Sequence, residues 1–266
     1  MELQKGKLFI DQMGRQVIVP QEPLRIVSLV PSQTELLYFF GLNQEIIGQT
    51  IFCIHPDEMH QIKPRIGGTK KLNLDKIREL KPNLIIGNKE ENEQSQIEIL
   101  MKEFPVWMSD IQNIDDSLEM IIKIGELVNK KEQALRLEQQ IKQGFLDLVQ
   151  TEKRKTCAYL IWRKPWMAAG ENTFINDILA RLGLENWVKN QNSRYPSLED
   201  DWFKTNQPEI ILLSSEPYPF KDIHLQELQN FCPNAQIILV DGEMFSWYGS
   251  RLSLAIPYFR TLIDQF

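Results

Sequence analysis

Four side chains able to bind a metal stand within eight residues: Cys53, His55, Asp57 and His60. Thiolate, imidazole and carboxylate together suit a soft or borderline ion. A cysteine near a histidine also suits a nucleophile activated by a base. The spacing matches no common zinc pattern, and no second Cys/His group lies elsewhere in the chain. Three readings stay open. The stretch is a turn closed by Pro56, or it ligates a metal held by a ligand, or it is the site of an enzyme acting on a metal complex through Cys53, His55 and His60. Other enzyme signatures are missing: there is no G-x-S-x-G, no G-x-x-x-x-G-K-[ST] and no H-E-x-x-H. Gly67, Gly68, Thr69 and Lys70 have the wrong spacing for a phosphate loop. The paired carboxylates Glu90/Glu91 and Asp200/Asp201 sit in polar stretches and read as solvated surface.

The second chemical signal is aromatic. Phe52, Trp162, Trp166, Tyr195, Tyr218, Phe220, Phe245, Trp247 and Tyr248 lie outside the regular hydrophobic periodicities, and five of the six tryptophans follow residue 160. Rings in loops at the mouth of a cleft bind flat or apolar surface; the bland alternative is that each caps the end of a sheet. Arg163, Arg194 and Arg251 sit among them. Each can meet a carboxylate or phosphate of a ligand, or close a surface ion pair.

The elements that must position these residues form a duplicated pattern. Arg25–Val30 reads as a buried strand, followed by a helix from Pro31 that ends at Gly41 and Leu42, with Ser32 as N-cap and Glu35 as its capping-box partner. Tyr159–Trp162 and the helix Thr173–Leu182, ending at Gly183 and Leu184, repeat the plan. Leu74–Leu80 then Pro82 and a buried strand are matched by Glu199–Thr205, Pro208 and a buried strand. A small hairpin is read at 8–11 and 16–19, and 51–73 as a long polar loop. Strand–helix alternation predicts parallel sheets covered on both faces. Two such halves give two lobes, and clefts between lobes hold ligands. Between the halves, 115–153 carries only a helical period, with a possible kink at 129–130. Its apolar face is broader than a coiled-coil seam. The domains are therefore placed at 1–112, 113–153 and 154–266.

The chain of 266 residues is 42% hydrophobic and 25% charged, enough for a real core. A net charge of −6 argues against nucleic acid. No segment approaches the roughly 20 apolar residues of a membrane span. Three scattered cysteines give no disulfide framework. Residues 1–11 carry no secretory apolar core, which places the chain in the cytoplasm unless a leader has been trimmed.

Taken together, the stretches 25–37 and 74–86, the long helical run, and 169–179 resemble the helical-backbone (class III) substrate-binding proteins of ABC importers, closest to the vitamin B12, ferric siderophore and haem group. The resemblance runs from about residue 8 to 266. It implies two Rossmann-like α/β lobes joined by a single long rigid helix. It implies no catalysis and no permanent cofactor, but capture of a metal chelate (cobalamin, haem or ferric siderophore) in an interlobe cleft, by a monomer that delivers it to an ABC permease. By position it implies ligand contacts from Phe52, Trp162, Trp166, Tyr195, Phe245 and Trp247, to which the residues beside the expected cleft add His55, Arg163 and Arg251. Asp75 and Asp201 fall where the family docks arginines of its permease, usually with Glu. The family's first-lobe tryptophans correspond to Lys70 and Asn88 here, so a more polar wall is expected around Phe52 and His55. A cytoplasmic relative that stores or senses a cofactor is the alternative.

Overall fold

The computed structural model describes residues 6–21, 25–148, 154–189 and 193–266. Residues 1–5, at the start of the stretch searched for a leader, and 149–153, at the expected end of the helical run, lie outside the described residues. By internal contact the chain divides into two compact units: Met1–Ile111, Asp115–Lys142 and Tyr248–Arg251 form one, and Gln112–Ile114, Gln143–Trp247 and Leu252–Phe266 the other. Both are α/β with parallel sheets, as the alternation of elements predicts.

The first unit opens with the antiparallel hairpin β1 (Gly6–Ile10) and β2 (Gln16–Pro20). There follow β3 (Ile26–Ser28), α1 (Pro31–Phe39), β4 (Ile46–Gln49), α2 (Asp57–Ile62), α3 (Leu74–Leu80), β5 (Leu84–Asn88), α4 (Gln94–Met101) and β6 (Val106–Ser109). The sheet runs β4-β3-β5-β6, all parallel. Strands β3, β5 and β6 are buried at every residue, which is why they read as continuous apolar runs rather than alternating ones. The expected loop 51–73 contains α2, a helix too short to leave a periodic signal.

The helical run is α5 (Ile114–Leu127) and α6 (Lys131–Leu146). Asn129, between them, is left-handed at φ 57 and donates through Nδ2 to the Gln21 carbonyl. The unit boundary falls inside α6, between Lys142 and Gln143.

The second unit contains β7 (Lys155–Trp162), β8 (Trp166–Ala168), α7 (Phe174–Arg181), β9 (Leu184–Asn186), β10 (Ser197–Leu198), α8 (Asp200–Asn206) and β11 (Ile210–Ser214). It ends with α9 (Asp222–Phe231), β12 (Gln236–Val240), α10 (Gly242–Ser246) and α11 (Leu252–Ile263), the last two separated by a short 3-10 turn at Gly249–Arg251 that packs in the first unit. The parallel strands run β9-β7-β11-β12, with β8 antiparallel beside β7 and β10 antiparallel beside β8. Thus each unit places its second strand, then first, third and fourth. The repeat extends to the stops. Gly41 and Gly183 both take φ +76 just past α1 and α7, a left-handed ending that needs no Cβ. Lys81 and Gln207 close α3 and α8 at φ 48 and φ 46, each before a proline.

Candidate functional site

In a parallel sheet of this order the loops after the first and third strands diverge, and ligands bind at the carboxyl ends beside that switch. In the first unit these are the loops after β3 and β5; in the second, those after β7 and β11.

The first unit's switch has a polar floor. Gln33 Nε2 donates to Ser109 Oγ at 2.5 Å and Asn88 Nδ2 to the same oxygen at 3.0 Å. Asn88 Oδ1 accepts the Glu90 and Glu91 amides at 2.8 and 3.0 Å, which stiffens the loop after β5. Helix α1 begins differently from expectation. Val30 is the N-cap without a side-chain bond, and Pro31 occupies the first turn, where its missing N–H costs nothing. Glu35 closes no capping box; it accepts Arg251 Nε at 2.9 Å and Nη2 at 2.8 Å.

Phe52 follows β4, is 53% exposed, and rests on Gly68, where an added Cβ would come within 3.1 Å of its ring. Ile51 and Ile54 beside it are also exposed. This edge is apolar, beside the polar floor around Asn88. The signal was present as isoleucines in an otherwise polar stretch. His55 is half-buried and joined to Pro56 by a cis peptide.

The potential metal ligands do not converge. Cys53 Sγ lies 3.1 Å from the hydroxyls of both Thr34 and Thr50, and burial pushes its thiol up, towards the neutral form. His60 spends Nδ1 on the Cys53 carbonyl at 3.2 Å and meets Arg65 Nη2 through Nε2 at 3.2 Å. Among the described residues no three His, Cys, Asp or Glu side chains group to hold a metal. A neutral, enclosed thiol is also a poor nucleophile.

In the second unit Trp162, at the end of β7, is 40% exposed and meets the edge of Tyr218 at 5.5 Å. Tyr218, from the loop after β11, packs in turn on Phe220 at 4.9 Å and His224 at 5.4 Å. Two rings from opposite sides of the switch thus form one aromatic edge. Arg163 lies in the β7–β8 turn. It pairs with Glu227, through Nε at 3.1 Å among other contacts, and its guanidinium covers the Trp166 ring at 4.0 Å. The Glu227 carboxylate correspondingly holds the guanidinium pKa up.

Four of the expected ligand contacts are buried. Trp166 is 2% exposed and packs on Phe203 and Phe220. Phe245 is buried against Tyr159 at 4.9 Å and Phe259 at 5.0 Å. Trp247 is buried, its Nε1 donating to Glu216 Oε1 at 3.0 Å. Arg251 is buried on Glu35. The physical reason is common to the three rings: a short element, β8 or α10, folds a presumed loop back onto its own unit. Tyr195 is half-buried, with the Arg194 guanidinium 5.9 Å above its ring.

Glu216 was not anticipated. Its Oε1 also accepts Ser246 Oγ at 2.8 Å. Burial raises its pKa, and the Glu243 and Asp241 charges add to this against the two hydrogen bonds. Its sequence signal was a carboxylate set between a buried strand and Pro217.

Asp75 and Asp201 stand in the first turns of α3 and α8, and each side chain is 87% exposed.

A sequence profile of the periplasmic binding protein family matches residues 26–230. The vitamin B12-binding protein of Pectobacterium carotovorum is 25% identical over 240 residues, 88% of this chain and 86% of its own. Among solved structures, the periplasmic vitamin B12 binding protein BtuF of Vibrio cholerae superposes with a TM-score of 0.75 at 18% identity, covering 91% of this chain and 97% of that one. The periplasmic heme-binding protein RhuT from Roseiflexus sp. RS-1 gives 0.77 at 20% identity, with 91% and 98% covered. At these identities the two structures speak to the fold.

Proposed function

Because this chain belongs to the periplasmic binding protein family, a solute-binding family, we propose that it captures a metal chelate and presents it to an ABC importer. The observation that carries the reading is the exposed aromatic edge of Trp162 on Tyr218, at the carboxyl ends of β7 and β11. Phe52, with Ile51 and Ile54, offers the same kind of surface after β4 in the first unit. Such faces suit a broad, flat, largely apolar chelate, so a corrinoid or haem fits better than a strongly charged siderophore. A relative named for vitamin B12 supports this. Capture needs no covalent step, and the enclosed Cys53 thiol supplies no nucleophile for one.

Delivery rests on Asp75 and Asp201. Two exposed carboxylates at helix N-termini are free to meet cationic side chains of a permease, each exchanging a weak local pair for a desolvated one.

Titration with cyanocobalamin, haemin and a panel of ferric siderophores, followed by tryptophan fluorescence, tests the proposal. Saturable quenching by cyanocobalamin or haemin is expected. Quenching by siderophores alone would change the ligand class, and no quenching by any of the three would sink the capture reading.

A further inference from the structure

Trp166 is built into the core of the second unit, yet it touches both surfaces that the proposed function uses. On one side the Arg163 guanidinium lies 4.0 Å over its ring, and Arg163 follows directly on Trp162. On the other side its indole Nε1–H donates to Asp200 Oδ1 at 3.1 Å. Asp200 is the first residue of α8 and the neighbour of Asp201. The backbone runs the same way: Trp166 pairs with Leu198 in β10, and Glu199 then caps α8. The ring also meets Phe203, on α8 itself, at 5.8 Å.

An ordinary core tryptophan needs one partner for its N–H. Here the partner is an exposed carboxylate on the helix that carries Asp201, and the opposite ring face holds a cation from the β7–β8 turn. Arg163 is in turn tethered to Glu227 of α9, so it cannot leave the ring without breaking an ion pair. A displacement of the turn therefore has a short, packed route to the first turn of α8.

We infer that Trp166 is a positioning residue that couples occupancy of the Trp162 turn to the α8 docking end. This rests on the capture reading above. A chelate seated on Trp162 shifts or stiffens the turn, Arg163 carries the change to the indole, and the bond to Asp200 sets the first turn of α8.

Hydrogen–deuterium exchange of the α8 segment, in the full chain with saturating cyanocobalamin or haemin, tests it. In the unsubstituted protein the chelate is expected to slow exchange at α8 about tenfold, the scale of one hydrogen bond to a charged group. Trp166→Phe keeps the ring stack and loses the N–H. Asp200→Ala removes the acceptor from an exposed position and decides the matter if Trp166→Phe does not fold. Both are expected to bind the chelate within about threefold of the original affinity while losing the slowing, because the bond lies outside the ligand contact. Asp200→Asn, which keeps an acceptor oxygen, is expected to retain it. Slowing that persists in Trp166→Phe and Asp200→Ala, or no slowing in the unsubstituted protein that nonetheless quenches, overturns the inference and leaves capture standing. If neither chelate quenches, the corrinoid-or-haem reading fails first and this inference falls with it.

Discussion

Asp75 and Asp201 occupy the same step of two equivalent helices. Each is the second residue of a seven-residue helix, each pairs with a cation three residues on, Arg78 or Lys204 at 2.8 Å, and each helix ends in a left-handed residue before a proline. Neither carboxylate is needed for folding: the pairs are surface pairs, and those stabilise little. Asp75→Ala and Asp201→Ala are therefore expected to leave the melting temperature and chelate affinity essentially unchanged. Uptake through the cognate permease should fall in each and more in the double variant. Unimpaired uptake in the double variant would remove both residues from docking.

Trp162 should dominate binding by the second unit. Its exposed ring leans on Tyr218 without being held in the core. Trp162→Ala is expected to weaken chelate binding about tenfold or more, as for a central aromatic anchor, with little loss of stability. Trp162→Phe should recover part of the affinity. Equilibrium titration decides this, and unchanged affinity in Trp162→Ala would move the ligand elsewhere.

The duplication was legible because its punctuation is local. Gly41 and Gly183, and Pro82 and Pro208, are stops whose chemistry is contained within a few residues. The depth of a ring was not. Trp162 and Trp166 are four residues apart, yet one is exposed and one buried, because β8 turns back and β10 covers Trp166. Glu35 reads locally as a capping residue because its partner, Arg251, is 216 positions away and leaves no trace in spacing. Helix α10 has five residues, too few to leave a helical period. The exposure of Trp162, the last residue of β7, and of Phe52, three residues past β4, is legible, since a strand end followed by a turn announces it.

That distant ion pair makes a stability prediction. Arg251 is buried and grips Glu35 through two nitrogens. Arg251→Ala leaves a partly buried carboxylate without its cation and should cost about 3 kcal/mol in denaturant unfolding. Replacing both partners together, Glu35→Leu with Arg251→Met, should recover most of that loss, because no uncompensated charge remains. A double variant as unstable as the single one would show that shape, not charge, carries the contact.

Burial makes a thiol prediction. Cys53, Cys157 and Cys232 are free and enclosed, and burial pushes all three thiols up. At pH 8 a disulfide reagent such as DTNB should label none of them rapidly in the folded protein and all of them in guanidinium. Fast labelling of Cys53 in the folded state would reopen the nucleophile reading that its environment argues against.

Glu216 supplies a pH prediction whose sign follows from its environment. Its carboxyl is raised first by burial and then by the Glu243 and Asp241 charges, against the donors Ser246 and Trp247. In the unfolded chain it titrates near the ordinary carboxylate value of about 4.3. Between that value and its raised folded value, the folded state holds a proton that the unfolded state has lost. Stability from this group is therefore full below about pH 4.3 and is lost as pH rises through the folded pKa. Glu216→Gln keeps an oxygen to accept the Ser246 and Trp247 bonds and cannot ionise. Its melting temperature should match the unsubstituted protein's near pH 4.3, exceed it progressively as pH rises, and hold a constant lead above the folded pKa. Melting curves from pH 4 to 8 read this directly. A lead that shrinks or reverses as pH rises to 8 would mean that the ionised carboxylate stabilises the α10 turn after all, and a difference that does not change with pH would mean that folding leaves the Glu216 carboxyl unshifted.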